Sequence, residues 1–271
     1  MKLSRMTAHV SSIFLTAVFA LTGAGVASAA THAQAAGTYY VALGDSYSSG
    51  VGTGTYDSSS GSCKRSPKAY PSLWAASHAP ASFAFTACSG ATTDDVKAGQ
   101  LGPLTSATDL VSITIGGNDA GFSDVMTTCV LNSQSTCLNR INQARTYADT
   151  VLPAKLDSVY DAIRAKAPNA HVVVIGYPHF YKIGGSCFLG LSDTSRAAIN
   201  SAADELNTVT AKRAADHGYS FASVVPAFTN HEICSGSAWL NSLVWTNIGE
   251  SYHPTAAGQS GGYLPTFANA V

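Results

Sequence analysis

The chain has 271 residues, of which 46% are hydrophobic and only 11% are charged. Soluble domains carry about 25% charged residues, so this composition excludes a disordered, highly charged chain. With 15 Lys and Arg against 16 Asp and Glu, the formal net charge is −1. No excess of cations remains to neutralise phosphates, which excludes a nucleic-acid partner.

The first residues have the pattern of a secretory signal peptide. Lys2 and Arg5 precede an apolar stretch over 13–26, and the small residues 27–30 follow it as an A-x-A cleavage signal. A retained membrane anchor is the alternative, but Thr and Gly residues interrupt the apolar stretch. We therefore predict a secreted, extracellular protein.

The start of the mature chain stays open between Ala30 and Ala36, because a second A-x-A stands at 33–35. We assign 1–35 to the signal peptide, with room for a short pro-segment. The remainder contains neither an internal repeat nor a linker that would divide it. We therefore predict one domain over 36–271.

Six cysteines follow the predicted signal peptide, and an even number in an exported protein indicates disulfides. No two of them have the C-x₂₋₄-C spacing of a thiolate zinc site, so we rank zinc below bridging. Six cysteines can pair in many ways, and the sequence does not choose among them. The simplest pairing joins neighbours in chain order: Cys63–Cys88, Cys129–Cys137 and Cys187–Cys234.

Apolar, β-branched runs of strand length recur along the chain, with helical or loop segments between them. They lie at 38–43, 82–87, 109–115, 170–175 and 219–225. Strands that alternate with helices are typical of a parallel sheet covered on both faces. We predict an α/β fold, a three-layer α/β/α sandwich with a mainly five-stranded parallel sheet.

Two helices are predicted around the fourth run. The first has apolar residues at i, i+4, i+7 and i+11; it begins near Pro153 and ends before Pro168. The second is capped by Ser192 or Asp193 and ends at Gly218. We assign the apolar faces of both helices to the protein core.

Four short blocks stand after the predicted strands or near the end of the chain. They are GDSYSSG with Ser46, CSGAT with Gly90, GGND with Asn118, and ESYHP with His253. Ligand sites in parallel sheets lie beyond the carboxyl ends of the strands, so the blocks are expected to meet there. Taken singly, each has a structural interpretation, with Ser46 as a helix cap and Asn118 and Asp119 as a polar turn.

The blocks, in this order, resemble those of the SGNH hydrolases, also called the GDSL lipase and esterase family. The resemblance extends from Tyr39 to about Gly258 and looks closest to the secreted actinobacterial lipases and phospholipase A1 enzymes of that family. It implies the flavodoxin-like SGNH hydrolase fold and hydrolysis of a carboxylic ester. The chain lacks the G-x-S-x-G elbow of the α/β-hydrolases, which disfavours that family.

The resemblance also implies a role for each block. Ser46 would attack the ester carbonyl, and His253 would take its proton, since imidazole titrates near neutrality. The backbone amides of Ser46 and Gly90 and the side-chain amide of Asn118 would form the oxyanion hole. No His or carboxylate pairs stand at metal-ligand spacing, so neither a metal nor another cofactor is expected.

The third member of the triad departs from the family pattern. The family has Asp three residues before the histidine, where this chain has Glu250. The resemblance to the secreted lipases of that family implies instead a main-chain carbonyl two residues before the histidine, here that of Ser251. Either acceptor would hold the Nδ1–H of His253. We favour the Ser251 carbonyl and keep Glu250 as the alternative acid.

Two apolar loops, 177–191 and 239–245, are candidates for binding an acyl chain. Together with the resemblance they favour a lipid ester, a phospholipid or acylglycerol, as the substrate of a monomer that touches lipid surfaces transiently. A carbohydrate esterase is the first alternative and would need an open, polar groove. A non-catalytic secreted binding domain is the second, and it would show no turnover.

Overall fold

A five-stranded, wholly parallel sheet organises the chain in the computed structural model, which describes residues 37–187 and 190–271. Its strands run in the order β2-β1-β3-β4-β5. They are β1 (Tyr39–Gly44), β2 (Ser82–Phe85), β3 (Leu110–Thr114), β4 (His171–Ile175) and β5 (Ser220–Ala222). The predicted strands are confirmed. The predicted signal peptide lies outside the described residues and stays a prediction.

Two strands end two or more residues before the ends of the apolar runs that predicted them. β2 ends at Phe85 and β5 ends at Ala222, two and three residues before the ends of their runs. After β5 the apolar residues belong to a short helix, Val225–Phe228, with Pro226 in its first turn. The fixed φ of proline suits that position, which explains why the strand does not continue.

Ten α-helices lie within the described residues. They are α1 (Ser46–Ser49), α2 (Tyr70–His78), α3 (Thr93–Gly99), α4 (Phe122–Leu131), α5 (Gln134–Thr150), α6 (Leu152–Lys166), α7 (Asp193–Asp216), α8 (Val225–Phe228), α9 (Ala256–Gly258) and α10 (Leu264–Ala268). Helices α6 and α7 confirm the two predicted helices. Ser192 caps α7 by accepting a hydrogen bond from the Ser195 amide. None of these helices is long and apolar enough to cross a membrane.

The sheet has a separate apolar cluster on each face. Side chains of β1 alternate between them, with Tyr40 in one cluster and Val41 in the other. Helices α2, α4, α5, α7 and α10 contribute to the Tyr40 side, and α3 and α6 contribute to the Val41 side. The three-layer sandwich is confirmed.

Helices α4 and α5 were not predicted from the sequence. The buried face of α5 consists of Cys137, Ile141, Ala144 and Ala148. Because most of these side chains are small and many polar residues surround them, the helical repeat of apolar residues is weak. A disulfide between Cys129 and Cys137 ties α4 to α5. Side chains of both helices, among them Val125 and Ile141, line a cavity beside Ser46.

The other cysteines also pair with their neighbours in the chain. Cys63 joins Cys88, which links a 3₁₀ segment to the turn after β2. Cys187 joins Cys234 and ties together the loops that follow β4 and β5. Both bridges lie in segments that follow strands, on the side of the sheet where the four sequence blocks were expected.

Candidate active site

Ser46 stands on a tight turn at the carboxyl end of β1. The chain leaves the strand through Gly44, whose φ is +122°. A Cβ there would lie 2.5 Å from the Thr114 carbonyl oxygen, so only glycine fits. The helix cap is Asp45, which accepts a hydrogen bond from the Tyr47 amide at 2.9 Å. Ser46 is therefore the first residue of α1, at the edge where the sequence placed it.

Asp45 is a buried carboxylate whose part in the site was missed from the sequence. It accepts hydrogen bonds from the Thr114 hydroxyl at 2.6 Å and the Tyr177 hydroxyl at 2.5 Å. Burial raises the pKa of Asp45 to about 6, although these donors act in the opposite direction. The side chain thus ties the Ser46 turn to the end of β3 and to the segment that follows β4.

A chain of hydrogen bonds connects Ser46, His253 and Ser251. The Nε2 atom of His253 lies 2.7 Å from the Ser46 Oγ, and its Nδ1 atom lies 2.9 Å from the Ser251 carbonyl oxygen. Because a carbonyl only accepts, Nδ1 carries the proton and donates it. Nε2 is thus left as the acceptor for the Ser46 hydroxyl, which is the arrangement that general-base activation requires.

The backbone conformation of Tyr252 places the Ser251 carbonyl within hydrogen-bonding distance of the His253 ring. Tyr252 has a φ of +65°, a conformation that costs a non-glycine residue about 1 kcal/mol. Its amide donates to the Asn241 carbonyl at 2.9 Å, and its carbonyl accepts from the Tyr47 hydroxyl at 2.6 Å. These contacts hold the strained residue in place and connect the histidine block to the nucleophile turn.

Glu250 is engaged elsewhere. Its carboxylate accepts hydrogen bonds from the Tyr56 hydroxyl at 2.7 Å and the Asn247 side chain at 3.0 Å. Among the described residues no hydrogen bond joins Glu250 to His253. The geometry therefore favours the Ser251 carbonyl over Glu250 as the group that orients the imidazole.

We expect the substitution Glu250→Ala to keep most of kcat/KM for a soluble ester. The Ser251 carbonyl that orients His253 belongs to the main chain and survives the change. Glu250→Gln is the matched control, because it keeps an acceptor for Tyr56. A loss of about 10⁴-fold in the alanine variant, the size seen when a triad acid is disabled, would identify Glu250 as that acid.

The imidazole of His253 lies in an environment that keeps it neutral. Burial lowers the pKa of His253 to about 4, and the positive charge of Lys64 also lowers it. The hydrogen bond to the Ser251 carbonyl acts in the opposite direction. At neutral pH the ring is therefore unprotonated and ready to accept the serine proton.

The acid side of the pH profile tests this environment. A base must be unprotonated, so kcat/KM for a soluble ester should fall only as the pH drops through about 4, rather than through the ordinary histidine value of about 6.5. Lys64→Met removes a like charge and should move the fall to higher pH, whereas Lys64→Arg should not. A wild-type profile that falls near 6.5 would contradict the lowered pKa of His253.

Asn118 and Gly90 lie on the turns after β3 and β2. One amide hydrogen of Asn118 is donated to the Ala91 carbonyl at 2.9 Å, which ties the two turns together and leaves the other hydrogen free. Within 37–187 and 190–271, the backbone amides of Ser46 and Gly90 donate to no other residue. Asn118 lines the same cavity as Ser46, whereas Gly90 lines a different cleft that shares no lining residue with that cavity.

Asp119 has a structural part in this region. Its carboxylate accepts hydrogen bonds from the amide of Thr93 at 3.0 Å and from the hydroxyl of Thr93 at 2.6 Å. Thr93 is the first residue of α3. The contact therefore holds the turn that carries Asn118 against the start of that helix.

A mainly apolar cavity leads from Ser46 between α4, α5 and α7. Its apolar lining includes Tyr177, Phe180, Phe122, Val125, Met126, Ile141, Ala144, Ala148, Ile199, Ala203 and Leu206. Among the described residues that line it, only Asp45 and Arg145 are charged, and Arg145 is paired with Glu205. Such a lining suits a hydrocarbon chain.

The two loops expected to bind an acyl chain contribute less than predicted. Of the described residues in 177–191, only Tyr177 and Phe180 line this cavity, and none of 239–245 does so. The expectation was incomplete because most of the wall comes from α4, α5 and α7, two of which were not predicted. Leu243 and Trp245 line a second groove, which shares Phe122 and Met126 with this cavity.

A serine hydroxyl, an oriented neutral imidazole and unpaired amide donors at the carboxyl edge of a parallel sheet are the parts of a serine ester hydrolase. In the described part of the chain, no three His, Cys, Asp or Glu side chains cluster in a way that could hold a metal ion. The chain belongs to the GDSL-like lipase/acylhydrolase family, whose sequence profile matches residues 42–260. The resemblance noted from the four blocks is confirmed.

Relatives cover the whole chain. It is 66% identical to Lipase 1 of Streptomyces coelicolor over 271 residues, 100% of both chains. The crystal structure of an extracellular lipase from Streptomyces rimosus matches with a TM-score of 0.85 and 66% identity, covering 86% of this chain and 100% of that one. That of phospholipase A1 from Streptomyces albidoflavus NA297 matches with a TM-score of 0.85 and 63% identity, covering 87% and 100%.

Proposed function

We propose that the chain is an exported enzyme that releases an acyl chain from phospholipids or acylglycerols through an acyl-enzyme on Ser46. It is a lipid-ester hydrolase of the GDSL family, and relatives of high identity are named lipase and phospholipase A1. The observation that carries the proposal is the hydrogen-bonded series Ser46, His253 and Ser251 at the mouth of an apolar cavity.

The reaction begins when the Ser46 Oγ attacks the ester carbonyl carbon and His253 Nε2 takes the hydroxyl proton. The carbonyl oxygen becomes an oxyanion, for which the amides of Ser46 and Gly90 and the free amide hydrogen of Asn118 are the donors. The Ser251 carbonyl holds Nδ1–H and supports the imidazolium.

The remaining steps use the same groups. His253 returns its proton to the oxygen of the leaving alcohol, and the acyl group stays on Ser46 as an ester. Water then enters, gives a proton to His253 and attacks that ester through a second oxyanion. Collapse releases the fatty acid and restores the Ser46 hydroxyl.

The cavity beside Ser46 supports an acyl chain as the bound group. Each methylene buried from water contributes about 0.8 kcal/mol, so an apolar channel favours long chains over acetyl groups. A carbohydrate esterase would need an open, polar groove at this position. The lining of this cavity is instead mainly apolar.

Filling the cavity should change the chain-length preference. Ala203 of α7 is buried and lines the cavity, so Ala203→Phe is expected to lower kcat/KM for long-chain esters while a butyryl ester is affected less. Ala215→Phe places the same ring at an exposed position of the same helix and is the matched control. An equal loss on both chain lengths would show that the chain does not occupy this cavity.

Export and subunit state are further parts of the proposal. Three disulfides and the predicted signal peptide support an oxidising, extracellular location. Ser46, His253 and the walls of the cavity come from one chain, which supports a monomer. The N-terminal residue of the secreted protein tests export, and its mass in solution tests the subunit state. We expect a cleaved monomer.

Product analysis tests the substrate class. Wild type and Ser46→Ala are compared on a phosphatidylcholine with different acyl chains at its two positions, a triacylglycerol and an acetylated xylan. Release of the sn-1 chain identifies a phospholipase A1, and release of fatty acid from triacylglycerol identifies a lipase. Release of acetate from xylan alone would contradict the proposal.

A further inference from the structure

A second apolar groove adjoins the active site on the side of His253. One wall is α4, and the other is the segment 243–253, which brings Ser251 and His253 to the groove. The groove shares Phe122 and Met126 with the acyl cavity. No Asp, Glu, Lys or Arg is found among the described residues that line it. The groove is therefore continuous with the catalytic centre and free of fixed charge.

Large apolar side chains along this groove are exposed to solvent. Leu131 is 67% exposed, Trp245 is 75% exposed and Ile248 is 61% exposed. They are the three most exposed large hydrophobic residues in the described part of the chain, and all three line the groove. Exposed apolar residues gathered in one place mark a binding surface. Tryptophan in particular favours the boundary between water and lipid.

We propose that Leu131, Trp245 and Ile248 form a lipid-docking surface that binds the enzyme to a phospholipid bilayer or other lipid aggregate. This inference rests on the proposed function and deepens it, because it names the part of the molecule that meets the aggregated substrate. Long-chain lipid esters are aggregated in water, so a molecule of substrate must pass from an aggregate to Ser46.

Two features favour a lipid surface as the occupant of the docking surface. The side chains that line it carry no formal charge, so none of them must be desolvated as an ion when the surface enters the boundary of a lipid layer. The catalytic His253 lines the same groove, so a second copy of the chain seated there would cover the active site. A lipid surface in the same place would deliver substrate to it.

Vesicle binding tests the docking surface directly. The Ser46→Ala variant, which leaves the vesicles intact, is mixed with vesicles of palmitoyl-oleoyl phosphatidylcholine, and the bound fraction is measured by flotation. Adding Leu131→Ser, Trp245→Ser and Ile248→Ser should weaken binding about a hundredfold or more, because three large apolar side chains lose their burial. Binding that stays within about twofold would overturn the proposal.

A control is available at the opposite edge of the sheet. Val271 is 54% exposed, and the neighbouring Ala270 carbonyl lies 2.7 Å from His171, the first residue of β4. The control Val271→Ser removes an exposed apolar side chain far from the strand ends that carry the site. It should leave vesicle binding unchanged, and an equal loss in this variant would contradict a localised surface.

Tryptophan fluorescence gives a second readout that does not depend on a multiple variant. Trp74 is buried and Trp239 is half-buried, so Trp245 is the tryptophan that lipid can reach. Vesicles with brominated acyl chains should quench the Ser46→Ala protein, and Trp245→Phe should remove most of that quenching. Quenching that persists in the Trp245→Phe variant would contradict insertion of Trp245.

A monomeric ester separates docking from substrate binding. The triple substitution in the active enzyme should lower turnover of vesicle lipid far more than turnover of dissolved butyryl ester. An equal loss on both would overturn docking, since the groove would then hold part of the substrate itself. If wild type hydrolyses no lipid ester, the proposed function fails, while vesicle binding by Ser46→Ala still decides the docking surface independently.

Discussion

Replacement of Ser46 by alanine is expected to lower kcat/KM by about 10⁶-fold on both dissolved and aggregated esters. The substitution removes the hydroxyl whose oxygen lies 2.7 Å from the His253 Nε2 atom. No acyl-enzyme can form without it. The measurement is initial rates on a chromogenic butyryl ester, with enzyme prepared free of wild-type contamination.

The control for Ser46→Ala is a substitution of its hydrogen-bond partner, His253. His253→Ala should cost about as much as Ser46→Ala, and the double variant should be little worse than either, because the two groups act in one step. Losses that multiply in the double variant would mean that Ser46 and His253 act independently. That result would contradict the geometry of the hydrogen bond between them.

Replacement of Asn118 by alanine is expected to lower kcat about 10²- to 10³-fold with a smaller effect on KM. One amide hydrogen of Asn118 is already used by the Ala91 carbonyl, and the other is free for the oxyanion that forms during reaction. A donor to the oxyanion strengthens its interaction in the transition state, so its loss is felt in kcat.

Asn118→Asp separates this effect from a loss of shape. The aspartate has the size of asparagine but offers no N–H at neutral pH, so its loss of kcat should be at least as large as that of the alanine variant. The thermal midpoint of both variants should be compared with wild type. A variant with a lower thermal midpoint and an unchanged kcat would show that Asn118 only ties two turns together.

Much of the fold followed from the sequence because its three central strands, β1, β3 and β4, are short apolar runs buried on both faces. Helix α6 was also predictable from the sequence, since its apolar residues repeat with a helical period. Helix α5 was not, because Ala144 and Ala148 give little contrast with the polar residues around them. The acyl cavity was therefore placed too far toward the loops.

The residues of the site likewise divide into those that could be located from the sequence and those that could not. Ser46, Gly90, Asn118 and His253 stand in short blocks, so they could be located without a structure. Asp45 could not be assigned its part, because its partner Tyr177 is 132 residues away along the chain. Contacts of that kind depend on the completed fold rather than on a local pattern of residues.

Covalent labelling tests the central claim most directly. The protein is treated with a long-chain fluorophosphonate, and the modified residue is located by mass spectrometry of its peptides. We predict one adduct, on Ser46, that forms in step with the loss of activity and is absent from the Ser46→Ala variant. An inactivated enzyme whose adduct lies on another residue, or an active enzyme that takes no label, would contradict Ser46 as the nucleophile.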